Sequence, residues 1–111
     1  MIFKKQEING WLVLTVEGEM SFNFIDNLDE LSSEVKKYLK TGCYRFIFDF
    51  TKVPFIDSSG ISVVIIAMSS AMKNKTPVKI CGLNEETKKS FELIKINFGV
   101  EYYDTLQAAL S

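Results

Sequence analysis

Short apolar runs with a two-residue period alternate along this chain with stretches whose apolar residues recur every three or four positions. That alternation restricts the folds open to it. "WLVLTVEG" sends Leu12, Leu14 and Val16 to one face of a strand and Trp11, Val13 and Thr15 to the other. Both faces are largely apolar, which suits a strand covered on at least one side. "YRFIFDF" does the same with Tyr44, Phe46, Phe48 and Phe50 against Arg45, Ile47 and Asp49. Between them, Phe24, Leu28, Leu31, Val35 and Leu39 fall at spacings of four and three, with Ile25 and Tyr38 widening the stripe. This is an amphipathic helix that Ser21 or Asn23 can cap and Thr41-Gly42 ends. Strands joined by helical crossovers of this length imply a mostly parallel sheet with right-handed connections.

The other elements extend the pattern. "IFKKQE" precedes Ile8-Asn9-Gly10, and the Asn-Gly pair predicts a tight hairpin into the second strand. "ISVVIIAMSSAM" is rich in β-branched residues, yet Ile61, Val64, Ile65, Met68 and Met72 share one helical face. Asp57 or Ser58 stands where an N-cap belongs, ahead of Gly60, so a helix is predicted, with Met68 and Met72 in the core. "TPVKICGL" predicts a strand opened by Pro77. "NEETKKSFELI" predicts a helix capped by Asn84, with Glu85 and Glu86 in its first turn and Phe91 and Ile94 facing inward. "VEYY" predicts a short strand, and Asp104-Thr105-Leu106-Gln107 has the form of a capping box opening a last helix. The expected order is ββαβαβαβα: one α/β domain over residues 1–111, with a mostly parallel sheet and an N-terminal β-hairpin.

Composition narrows the function. With 13 basic and 14 acidic residues the formal charge is −1, so no net field draws the chain to nucleic acid or to an anionic membrane. Lys36, Lys37 and Lys40 fall near a helix end, where cations favour the dipole. Cys43 and Cys81 lack CxxC spacing and read as reduced, buried residues of a cytoplasmic protein. "MIFKKQEING" lacks a secretory pattern, and the run from Ile61 to Met68 is far short of the ~20 residues of a spanning helix. There is no histidine, hence no Ser-His-Asp triad, no Cys-His pair and no zinc site of the usual ligands. No GxxxxGK[ST] or GxGxxG loop is present. No metal or cofactor is expected. Trp11 and the Phe46, Phe48, Phe50 series read as core packing.

"FIDSSGIS", after the strand "RFIFDF" and opening an apolar helix, resembles the signature of STAS domains, and most closely the bacterial anti-sigma factor antagonists. "WLVLTVEGEM" is similar to the family's second strand and its Gly-acid-Leu turn. "KICGLNEETKKSFELIKINFGVEYYDTLQAAL" is similar to its closing strand-helix-strand-helix pattern. The resemblance implies a β-α superhelical domain with the serine loop exposed at one end. It implies that Ser58, directly after Asp57, is phosphorylated by a partner that is both an anti-sigma factor and a serine kinase. The unphosphorylated antagonist binds that kinase and frees the sigma factor, and a PP2C-type phosphatase restores it. On the same resemblance Asp57, Ser59 and Gly60 shape the loop, while Gly18, Glu19, Met20 and Ser21 lie beside it in the partner surface. Ser21 stands where the antagonists usually carry an aspartate, which bears on which kinase is recognised.

The residues support this from a second direction. A serine in the first turn of a helix sits among backbone N–H groups without intrahelical partners, which would help to hold a phosphate, while Asp57 would repel it. Read alone, Asp57-Ser58-Ser59 is a helix cap, a role compatible with phosphoacceptance. The resulting expectation is a non-enzymatic, phospho-switched binding protein, monomeric or weakly dimeric. The alternative is a STAS subunit of a stressosome-like or lipid-transport assembly. A serine hydrolase fails, because nothing takes the Ser58 proton in the usual way. Cys81 has no adjacent base to make it a reactive thiol.

Overall fold

Asn9 and Gly10 both take positive φ, 52° and 81°, the conformation that a two-residue hairpin turn of this hand requires. They join β1 (Ile2–Ile8) to β2 (Trp11–Glu17) in an antiparallel pair with Ile8 opposite Trp11. In this computed structural model, which describes residues 1–41, 45–93 and 100–111, everything that follows is a crossover. A 3₁₀ turn (Phe22–Phe24) leads into α1 (Ile25–Thr41), then β3 (Arg45–Lys52), α2 (Ser58–Lys73) and β4 (Val78–Cys81). The chain closes with α3 (Glu85–Leu93), β5 (Glu101–Tyr103) and α4 (Leu106–Leu110). The sheet runs β1-β2-β3-β4-β5, and β2 to β5 are parallel.

A sheet whose strands lie in sequence order, joined by crossovers of one hand, must carry those crossover helices on one face. The core shows this. Leu12, Leu14, Val16, Phe46, Phe48, Phe50 and Ile80 pack with Leu28, Leu31, Val35 and Leu39 of α1, Val64 and Met68 of α2, and Phe91 of α3. The opposite face is thinner: Trp11, Val13, Ile47 and Cys81 meet Ala109 of the short α4. There the buried Lys79 lies 4.6 Å from the Trp11 ring and 4.9 Å from that of Tyr103, and donates to the Ala109 carbonyl at 2.6 Å. A buried ammonium is tolerable only with such partners.

Four expectations need correction. Met72 is 54% exposed, because α2 turns its Val63, Ala67 and Ala71 inward instead. Phe24 belongs to the 3₁₀ turn and is more than one-third exposed, so the α1 stripe begins at Leu28. Ser21 caps that 3₁₀ turn, its hydroxyl accepting from Asn23 N–H at 3.3 Å, rather than α1 itself. The last helix is capped by Thr105, whose hydroxyl accepts from Ala108 N–H at 3.1 Å, so the box from Asp104 to Gln107 does not form. Asn84 caps α3 as expected, accepting from Thr87 N–H at 2.7 Å. Gly42, Cys43, Tyr44 and Ile94, read above as a helix stop, a buried cysteine, a strand-face residue and an inward-facing residue, lie outside the described residues.

Phe48 lies at the middle of β3, 1% exposed, with its ring stacked 5.7 Å from that of Phe50. Phe48→Ala should lower unfolding free energy by about 3–5 kcal/mol in a urea titration. A loss under ~1 kcal/mol would contradict the packing described.

Candidate functional site

The site is built where two loops leave the same end of the sheet. After β3, Val53 and Ile56 turn into the core, while Phe55 between them is 40% exposed. The turn after β2 lies alongside this loop and is fastened to it by three backbone bonds. Gly18 N–H donates to the Lys52 carbonyl at 2.9 Å and Met20 N–H to the Phe55 carbonyl at 3.0 Å. Asp57 N–H returns a bond to the Met20 carbonyl at 3.1 Å. From the other side Asn84 Nδ2 donates to the Pro54 carbonyl at 3.2 Å, so the cap of α3 also braces the loop.

Asp57 is the N-cap of α2, with extended φ and ψ of −104° and −172°. Its Oδ1 accepts from Ser59 N–H at 2.8 Å and Gly60 N–H at 3.2 Å. Its Oδ2 accepts from Phe22 N–H at 3.0 Å, across the two loops. Desolvation works to raise the Asp57 pKa, but the N–H donors of Phe22, Gly60 and Ser59 together outweigh it and hold the carboxyl below its ordinary value. Gly60 follows because the helix passes so close to the β2 turn. A Cβ there would come within 2.7 Å of Ile56 Cγ1 and 2.9 Å of Met20 Cβ.

Of the eight residues singled out from the sequence, this geometry divides those that frame the loop from those that face solvent. Met20 is fully buried, Ser21 is 3% exposed and Gly60, which has no side chain, is buried, so none of these three residues offers a side chain to a partner surface. They are the packing against which the loop rests. Ser21 donates its hydroxyl to Glu19 Oε2 at 2.5 Å, and Asn23 Nδ2 adds a second bond to the same oxygen at 3.3 Å. Gly18, Glu19, Asp57 and Ser59 are half-buried. Ser58, the first residue of α2, is exposed, and its hydroxyl has no hydrogen-bond partner among the described residues. Its backbone carbonyl accepts from the Ser62 hydroxyl at 2.7 Å. Two of the donors expected to hold a phosphate are taken: Ser59 and Gly60 N–H both point at Asp57.

Sequence reading passed over two aromatic residues at this end, Phe22 (68% exposed) and Phe55. A phenylalanine out of phase with the α1 stripe, placed between capping residues, is the signal that marks Phe22. The Ser58 hydroxyl also lacks an activating base, since the chain has no histidine and Asp57 is engaged by N–H donors. Among the described residues no cluster of three His, Cys, Asp or Glu is placed to hold a metal ion. The Cys81 pKa is pushed up to about 12, by burial first and then by the neighbouring Asp49, which leaves no thiolate for chemistry.

Two consequences are measurable. Gly60→Ala should destabilise by about 1–3 kcal/mol, since the new methyl meets the β2 turn; unchanged stability would contradict the close approach. Because the folded pKa of Asp57 is depressed, its carboxylate contributes stability above the unfolded value of about 3.9, and loses it as pH falls through the lower folded value. The stability difference between the wild type and Asp57→Asn should therefore be full above about pH 4 and shrink below it. A difference independent of pH would show that the charge is irrelevant to the cap.

Over residues 3–109 the chain matches the STAS domain family. A putative anti-sigma factor antagonist from Thermotoga maritima has the same fold with a TM-score of 0.85 at 19% identity, over 97% of this chain and 91% of that one. The Bacillus cell fate determinant SpoIIAA in its phosphorylated form superposes with a TM-score of 0.75 at 17% identity, over 97% and 96% of the two chains. A sulfate transporter family protein from Wolinella succinogenes gives 0.70 at 18% identity, over 88% of this chain and 80% of that one. No curated protein matches the sequence. At such identities the superpositions speak for the fold, and the family match covers nearly the entire sequence: the chain belongs to the STAS domain family.

Proposed function

We propose that this STAS domain is an anti-sigma factor antagonist, a protein-binding switch with Ser58 as its phosphoacceptor. The observation that carries the reading is the exposed, unpartnered Ser58 hydroxyl at the first position of α2, on a loop braced from two sides. The structural likeness to antagonists, one of them in its phosphorylated form, supports it. The partner is a serine-kinase anti-sigma factor and the resetting enzyme a PP2C-type phosphatase. In the forward step Ser58 Oγ bonds to the γ-phosphorus of ATP, the bond to ADP breaks, and the hydroxyl proton passes to a base of the kinase. The domain itself is the substrate and performs no catalysis.

Physical chemistry says where the switch acts. Phosphorylation adds about −1.5 to −2 charges at Ser58. With Ser59 and Gly60 N–H already bound by Asp57, the phosphate stands in solvent beside a carboxylate rather than inside the helix cap. The fold survives, and the partner surface gains negative charge. Among the described residues no helix is long and apolar enough to cross a membrane.

The likeness to a sulfate transporter family protein favours a second reading, a STAS subunit within a larger stressosome-like or transport assembly. A particle far heavier than a monomer or dimer, formed when the purified chain meets its partners, would favour that assembly.

The test of the antagonist reading is chemical. Mass spectrometry after kinase treatment should find phosphate on Ser58 and none on Ser59. Ser58→Ala should change stability by less than about 0.5 kcal/mol, since Asp57 and not Ser58 is the cap, and should bind the kinase as the wild type does. Ser58→Asp should fold yet bind at least tenfold more weakly, because it places an unpaired charge in the docked surface. Phosphate on Ser59, or equal binding by both variants, would remove the mechanism.

A further inference from the structure

The two aromatic residues beside Ser58 are held in place by the same bonds that shape the loop. Phe22 N–H donates to Asp57 Oδ2, and the Phe55 carbonyl accepts from Met20 N–H, each at 3.0 Å. With 68% and 40% of their surfaces exposed, these rings contribute little to the core. Large apolar side chains exposed on two loops fastened to each other mark interaction surfaces. Several of the polar groups around them are already in use. Asp57 accepts three N–H bonds, Glu19 accepts from Ser21 and Asn23, and the Ser62 hydroxyl donates to the Ser58 carbonyl. What these loops offer a docking protein includes the Ser58 hydroxyl, the Ser59 hydroxyl next to it, and the two rings, their most exposed aromatic side chains.

Resting on Ser58 as the phosphoacceptor, we propose that Phe22 and Phe55 are the docking anchors. They seat in an apolar cleft of the kinase beside its nucleotide, and burial of the rings rather than charge pairing drives the association. The occupant is the kinase because an enzyme that brings a γ-phosphoryl group to Ser58 Oγ must cover the surface next to it. Phe22 is tied to the capping residue that immediately precedes Ser58. Aromatic anchors set among near-neutral contacts are the usual energetic centre of an interface, and they act on affinity rather than on the transfer step.

The test measures steady-state phosphorylation of the purified wild type, Phe22→Ser, Phe55→Ser and Met72→Ser by each serine-kinase anti-sigma factor encoded in the source genome. Met72 is a control of comparable exposure, 54%, and 14 residues from Ser58 it lies about 21 Å along α2. Phe22→Ser and Phe55→Ser should each raise KM at least tenfold, leave kcat within twofold, and keep a circular dichroism melt like that of the wild type. Met72→Ser should change neither constant. KM for the wild type should vary less than threefold between 50 and 500 mM NaCl, since screening weakens charge pairs and not ring burial. Unchanged KM in the Phe variants, with Ser58 still phosphorylated, overturns the anchors and leaves the acceptor standing. A steep salt dependence overturns the apolar drive. A wild-type dimer that Phe22→Ser dissolves assigns the rings to a second copy instead. If no kinase modifies Ser58, the acceptor reading fails and the anchors fall with it.

Discussion

One carboxylate holds the functional end of this domain together. Asp57 caps α2 through Ser59 and Gly60, and in the same stroke reaches Phe22 N–H on the preceding crossover. A cap alone would define a helix start; the third bond ties that start to the turn after β2. The backbone bonds between Gly18 and Lys52, Met20 and Phe55, and Asp57 and Met20 close the same seam. Remove the carboxylate and the two loops lose their shared acceptor, whereas removing the Ser58 hydroxyl costs the framework nothing.

That separation is what the proposed phosphoswitch needs. The groups that fix the geometry are Asp57, Gly60, Met20 and Ser21, and the last three are buried. The groups that this end turns to solvent include the Ser58 hydroxyl and the rings of Phe22 and Phe55. A charge of about −1.5 to −2 added at Ser58 meets a helix start whose Ser59 and Gly60 N–H donors are committed. It therefore changes the surface and leaves the core as it was. The favourable field at the N-terminus of a 16-residue helix offsets part of the repulsion from Asp57.

Much of this was legible in the sequence, for reasons that can be named. The strand faces of β2 and β3 follow from strict alternation, and Asn9-Gly10 specified its turn by chemistry. Asp57-Ser58-Ser59-Gly60 announced a helix start and, by resemblance, a family. What stayed hidden depended on tertiary approach. Gly18-Glu19-Met20-Ser21 reads as a polar turn, yet Met20 is drawn into the core by a bridge to Ile56 that no local pattern encodes. Met72 fits the α2 stripe, but the helix rolls toward its small residues, so periodicity placed it on the wrong side. The choice between Asp104 and Thr105 as the last cap turned on one residue of register. Which N–H groups Asp57 occupies required coordinates, and that detail decides where a phosphate stands.

Amide hydrogen exchange resolved by residue, on the unmodified chain and on the chain phosphorylated at Ser58, tests the central claim most directly. If the phosphate stands outside the cap, the amides of Phe22, Ser59 and Gly60 keep their protection within about twofold in both forms. A large loss of protection at all three would show that the phosphate displaces the Asp57 carboxylate. The switch would then work by opening the loop rather than by changing its surface.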